Sequence, residues 1–395
     1  MKMKLKRFNQ ARFLQRIGRE LLTRFFGAFA EPLAGNGLTL PPLDLPDAQY
    51  FGALARLAAQ PDCLPGLLNE ALFAIDDLST PEGFERIEGA PEWPALRSSL
   101  RPNSTREDIA LQVWLVAPEV LARIHNLLRL KRLTVFEHAA SRVPPEHRQP
   151  FDPQDRAAII ALTFDLDAWF AANHRGAETT RVEVYPVDGT FWFLIRHGDI
   201  FTRTPKVEQR NTEILHFRPE RDDVVIYCPA LDELRVNART KGERDLYIRQ
   251  FGRHLRRNAD YFCDRATYTL EPLRTDGPDS LDTREINGVE KIRLRELEVA
   301  SEDGQREVIT RAAPGLFELA AMPEGWDPIP KAGRLARAIF DVQFTDAPRP
   351  YPVEICLPNI LRISRRCDAQ AVDTWLTLRR FRRAWPAVDQ MQLAG

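Results

Sequence analysis

The spacing of apolar and polar positions changes period once along the chain. Through about residue 176 it is helical. Leu14, Ile17, Leu21 and Phe25, with Leu22, Phe26 and Phe29 beside them, line one side of an amphipathic helix over residues 8–28. Its other side is rich in arginine. Residues 30–45, rich in Gly, Pro and Leu, predict a loop, and helices are expected at 46–59 and 63–77. Pro81, Pro91, Pro94 and Pro102 punctuate the next stretch. Ser104 and Glu107 have capping-box spacing. They open a helix through Ile109, Val113 and Val116 that breaks at Pro118. Another helix carries Val120, Leu121, Ile124, Leu127 and Leu128, and Arg142-Val143-Pro144-Pro145 closes the region. Asp152-Pro153 predicts an N-cap and first turn for a helix bearing Ile160, Phe164 and Trp169.

From Arg181 to Ala238 the period becomes two. Short runs rich in Val, Ile, Phe, Tyr and Trp end in turn signals, and Asp188-Gly189 has the composition of a type I′ hairpin turn. An antiparallel meander of about five or six strands is predicted. Phe191, Phe193 and Ile195 face one way and Trp192 and Leu194 the other, so this strand is expected to be covered on both sides. A helix near 242–256 and a polar linker at 271–288 follow. The segments KIRLREL, EVIT, LFEL, IFDVQF and VEICL predict a second β region, with hairpin signals at Asn287-Gly288 and Asp303-Gly304. A helix near 368–385, capped by Asp368, ends the pattern. The expected architecture is α+β: a helical domain over 1–176, an antiparallel β domain with a closing helix over 177–270, and a β-rich domain with a terminal helix over 271–395.

Composition adds limits. Of 395 residues, 44% are hydrophobic and 28% charged, enough for a real core, and the formal net charge of -1 gives no global attraction to polyanions or membranes. The charge is uneven. Basic residues concentrate in 1–26 and 360–385, which leaves the middle acidic. The Arg-rich first helix reads as a core helix with a solvated face; an anionic membrane or an acidic partner is the alternative. No apolar run of about 18 residues occurs, so no transmembrane helix is expected. Cys63, Cys228, Cys263, Cys356 and Cys367 are widely spaced without a CxxC pair. That argues against a zinc ribbon or thioredoxin-type site and for a reduced, intracellular protein, expected to be cytoplasmic; the scarcity of Lys beside Arg reads as the mark of a GC-rich bacterial genome.

The sharpest local motif is Leu194-Ile195-Arg196-His197-Gly198-Asp199. It resembles the strand-end RHG signature of histidine phosphatases, which implies His197 as nucleophile and Arg196 as phosphate ligand. That family follows the motif with a helix above a parallel sheet; here two strands flank it, and His216 and His254 are the only later histidines. The other reading is a hairpin turn with Gly198 at positive φ and His197 and Asp199 solvated beside it. His125, His138, His147 and His174 are scattered without HExxH or HxH, so no metal site is expected. Asp165 and Asp167 sit two apart on one helix and do not share a face. Asp341 with Glu354-Ile355-Cys356 lacks the lysine of a restriction-type nuclease. Phosphate-loop, dinucleotide and hydrolase-elbow motifs are absent from the sequence, so no cofactor is expected.

The C-terminal arginines remain. Arg362, Arg365 and Arg366 precede the last helix, and Arg379, Arg380, Arg382 and Arg383 are interleaved with Trp375, Phe381 and Trp385. Arginine suits phosphate and aromatics stack on bases. The alternative is a helix end complementing its dipole while Val372, Trp375 and Leu376 face a core. The expected function is a non-catalytic binding or scaffold subunit of a multi-protein assembly, with nucleic acid reached through these arginines, in a genome-defence setting. The alternative is a phosphohydrolase of histidine-phosphatase type using His197.

Overall fold

A computed structural model describes residues 7–60, 62–130, 133–141, 143, 147–148, 152–208, 210–263, 267–301, 308–320, 328–364 and 367–383. The chain forms two compact units, residues 1–132 and 133–395.

The first unit is helical: α1 (Ala11–Leu14), α2 (Arg19–Gly27), α3 (Ala30–Gly35), α4 (Asp47–Ala58), α5 (Gly66–Leu78), α6 (Pro81–Glu88), α7 (Trp93–Ser99), α8 (Arg106–Val116) and α9 (Pro118–Leu130). Leu14, Ile17, Leu21, Leu22, Phe25 and Phe26 are all buried in one core. The apolar stripe of residues 8–28 therefore faces inward, but as two helices. Gly18 separates them, and its N–H donates to Asp108 Oδ1 at 2.8 Å. The α8 cap lies one residue past the expected pair. Thr105 and Asp108 form the capping box, while Glu107 is buried beside Arg16.

The second unit runs β1 (Val135–Ser141), α10 (Arg156–Ala172), β2 (Arg181–Val187), β3 (Thr190–Gly198), β4 (Thr202–Glu208), β5 (Asn211–Phe217), β6 (Glu220–Cys228), β7 (Glu233–Asn237), α11 (Lys241–Arg256), β8 (Phe262–Cys263), α12 (Pro272–Thr275), β9 (Val289–Ala300), β10 (Val308–Ala312), α13 (Leu316–Ala320), β11 (Arg334–Phe344), β12 (Tyr351–Cys356), β13 (Ile360–Ile363) and α14 (Ala369–Leu378). The protein is α+β. An 11-stranded sheet is ordered β10-β9-β11-β12-β13-β1-β7-β6-β3-β2, with β8 beside β1. Among the described residues every strand pairing is antiparallel. Strands β4 and β5 pair with each other as a separate ribbon.

Two cores form on this sheet. In one, Leu162, Leu166 and Phe170 of α10 and Tyr247 and Phe251 of α11 pack on Phe193, Ile195 and Val225. In the other, Trp375 and Leu376 of α14 pack on Leu294, Phe340 and Val353. The seam between them is β1, a strand the sequence pattern left inside the helical region. It pairs through Phe136 with Leu361 of β13 and through His138 with Arg235 of β7. Several local expectations shift. LFEL belongs to α13 rather than to a strand. Helix α10 is capped by Asp155, not Asp152, and it buries the Leu162–Leu166–Phe170 stripe while Ile160 and Phe164 stay exposed. Helix α14 keeps its Asp368 cap but ends at Leu378, before the arginines.

Candidate functional site

The His197 corner closes β3. Strand β6 supplies Arg221 and Asp223, α11 supplies Glu243 and Tyr247, and the end of α10 supplies Phe170. His197 is 1% exposed, so it is not the solvated turn residue expected. Its ring stacks on Phe170 at 3.9 Å between centroids. Nδ1 lies 2.9 Å from the Gly198 carbonyl and Nε2 lies 3.2 Å from Asp223 Oδ2. Asp223 also accepts from Tyr247 Oη at 2.8 Å and from Arg221 Nε at 3.2 Å. Glu243 belongs to the α11 capping box and accepts the Thr240 N–H at 2.9 Å. Its Oε1 stands 2.9 Å from Arg175 Nη2 as an ion pair, without hydrogen-bond alignment. Burial pushes the Tyr247 phenol well above its ordinary range, and the Asp223 charge adds to the effect.

Gly198 does not sit at positive φ, which corrects the turn expected after β3; the positive-φ pair Asp188-Gly189 makes the separate turn between β2 and β3. What Gly198 provides is room. A Cβ there would lie 2.3 Å from the Arg175 carbonyl oxygen. Arg196 neighbours His197 on the strand, so it points to the other face, where it pairs with Asp222 at 3.2 Å and Glu183 at 3.3 Å. Arg196 is thus engaged by two carboxylates, while His197 is buried against Phe170. His197, Asp223 and Glu243 do bring donor atoms within 4.8 Å of one another. Arg175 pairs with Glu243 and Arg221 with Asp223, and both arginines also reach Asp199, at 2.6 and 3.8 Å. The corner is a closed ionic cluster.

A second buried cluster joins β1, β7 and the segment after α14. Glu233 of β7 pairs with His138 Nδ1 at 3.0 Å, with Arg235 at 3.0 Å and with Arg382. Arg235 and Arg382 share Asp373. Burial alone would raise the Glu233 carboxyl, but Arg382 and then His138 hold it well below the usual carboxylate range. Burial also lowers the His138 imidazole from its ordinary 6.5, against the pull of Glu233. No local signal marked this cluster, because its members lie 95 and 149 residues apart in sequence.

Several of the remaining candidates are paired within the chain. Arg362 pairs with Glu354 at 2.9 Å, Arg379 with Asp282 at 3.3 Å, and Arg380 with Asp276 at 2.9 Å. Arg383 is exposed; Arg365, Arg366 and Trp385 lie outside the described residues. Trp375 and Phe381 are fully buried, where no base can stack. Asp165 binds His254, and Asp167 accepts the backbone N–H groups of Glu178, Thr179 and Thr180, just before β2. Asp341 pairs with Arg295 and Glu354 with Arg337. Burial pushes the Cys356 and Cys367 thiols up to about 11, so neither is a ready nucleophile.

The opposite case is the β4–β5 ribbon. It is paired from Thr202↔Phe217 to Glu208↔Asn211. Ile200, Phe201, Val207, Leu215 and Phe217, on the ribbon or entering it, are 38–77% exposed. Val207 and Leu215 alternate to opposite faces, so neither face is covered. Arg203 and Arg210 are exposed and add positive charge, while Lys206 pairs with Glu213 at 2.9 Å. No protein-family model and no curated protein matches the chain. Its class is set by its own architecture: an α+β protein with one large antiparallel sheet, and no helix among the described residues long and apolar enough to cross a membrane.

Proposed function

We propose that the chain is a non-catalytic binding or scaffold subunit and that the β4–β5 ribbon is its contact with another protein. The observation that carries this is apolar side chains exposed on both faces of a two-stranded ribbon. Such a ribbon is marginally stable in water by itself, and clustered exposed apolar surface marks an interaction site. Its exposed Arg203 and Arg210 favour a partner surface that is apolar at the centre and acidic at the rim. The closure of the His197 cluster supports binding over catalysis. The pairing of Arg362, Arg379, Arg380 and Arg382 within the chain favours a protein partner over nucleic acid.

Photo-cross-linking tests this reading. A photoreactive residue replaces Val207 or Leu215 in producing cells, and exposed Leu67 serves as control. The expected result is one discrete cross-linked protein species from the ribbon sites. It should be missing at Leu67 and lost when the other ribbon position is changed to Glu. The same adduct pattern at all three positions defeats the proposal.

A further inference from the structure

Strand β2 ends the sheet; no described strand pairs with its outer edge. The Asp188-Gly189 turn has both residues at positive φ and joins Val187 directly to Thr190. In a two-residue hairpin those flanking residues form a hydrogen-bonded pair, and such pairs alternate along the ladder. Tyr185, Glu183 and Arg181 therefore bond to β3. Val182, Val184 and Pro186 turn their backbone groups outward. Val182 and Val184 each present an N–H and a C=O to the open side, and Pro186 presents only a C=O. Beside this edge a groove of about 510 Å³ runs between β2 and α10, lined by Arg156, Ile159, Ile160, Thr163, Val182 and Val184 among others. Ile160 is 48% exposed at its wall.

We infer that this edge accepts an extended segment of another protein by strand addition, with apolar side chains at alternate positions entering the groove and an acidic side chain meeting Arg156. The backbone groups at Val182 and Val184 bind the added main chain, and the period of two carries every second side chain over Ile160 and Thr163. Charge complementarity sets the acidic feature: Arg156 is exposed and forms no ion pair among the described residues. A second copy is the poorer occupant. It would offer the same donor-poor edge, with Pro186 silent, and the register centred on Glu183 would place like charges opposite each other. This inference rests on the reading of the chain as a binding protein but uses residues separate from the ribbon, so each can fail alone.

The test pans a random peptide library displayed on phage against the full chain. Selected peptides should share apolar residues at alternate positions and an acidic residue. Their affinity, measured by fluorescence anisotropy with synthetic copies, should fall about tenfold in V184P and in I160K, each roughly 1.4 kcal/mol. V184P removes one outward donor at the same parity as the native Pro186, and I160K changes an exposed side chain; circular dichroism verifies that both fold. N-methylating alternate peptide bonds should abolish binding in one parity and spare it in the other. Arg156→Glu should reverse the preference for acid. Four results overturn the inference: no selected peptide with this pattern, equal binding to both variants, insensitivity to methylation parity, or a chain that sediments as a dimer and becomes monomeric in V184P.

Discussion

The Glu233 cluster and the β4–β5 ribbon invert the usual placement of side chains. In the cluster, Glu233, His138, Arg382 and Arg235 are drawn under α14 and the sheet seam. In the ribbon, Val207, Leu215 and Phe217 stand in water. Buried charge is tolerated only where every partner is present, so the cluster ties together distant parts of one unit. Exposed apolar surface gains stability only when something else covers it. One region is finished by its own chain; the other leaves apolar side chains exposed, which is why we propose it as the contact with a second molecule.

The largest test of this contrast is Glu233→Ala. It strips Arg235 and Arg382 of a shared counter-charge and His138 of its hydrogen-bond partner, and a broken buried ion pair costs about 3–5 kcal/mol. The urea midpoint should fall sharply. Arg380→Ala, which removes a largely exposed partner of Asp276, should shift it by less than about 1 kcal/mol. Equal effects would mean that burial does not govern these pairs.

Gly198→Ala comes next. The new Cβ meets backbone at the Arg175 carbonyl, and overpacking of this kind costs about 1–3 kcal/mol. A wild-type melting temperature would show that the His197 corner is looser than described.

The response to pH sharpens the comparison further. The folded chain holds the His138 imidazole below its ordinary value, so folding binds that proton less well than the unfolded chain does. Stability from this group is complete above about pH 6.5 and declines as pH falls through that region. The Glu233 carboxyl is held well below its usual range. Its contribution is complete above about pH 4.3 and is lost as pH falls through the depressed folded value. Both losses lie on the acid side. Urea midpoints between about pH 8 and 5 should decline for wild type and be flatter for His138→Gln. The smallest effect is expected on the ribbon: Val207→Ser and Leu215→Ser should change stability by no more than about 0.5 kcal/mol.

Local structure was legible where one face decides it. The stripe from Leu14 to Phe26 marked core helices, and Asp188-Gly189 marked a hairpin whose two φ values are 49° and 76°. Strand β1 was not legible, because Glu137, His138 and Ser141 interrupt its apolar pattern; His138 and Ser141 are buried by partners far along the chain. His197 was misplaced for the same reason. Its sequence neighbours suggest a turn, while Phe170 and Asp223 make it interior. The arginine run after α14 looked like one basic face. Arg380 adopts φ 61° and turns the chain, and the Arg382 N–H returns to the Leu376 carbonyl at 2.8 Å. Neighbouring arginines thus reach different surroundings.

The position of β1 has a consequence for synthesis. The middle of the sheet joins the first strand of its unit to the last, Val135–Ser141 to Ile360–Ile363. During translation the β1 edge that awaits Phe136↔Leu361 pairing stays open until Ile360–Ile363 has left the ribosome. A nascent chain halted before that point carries an unsatisfied edge able to recruit strands from its neighbours. Premature termination late in the message should therefore yield aggregates rather than a shortened soluble protein.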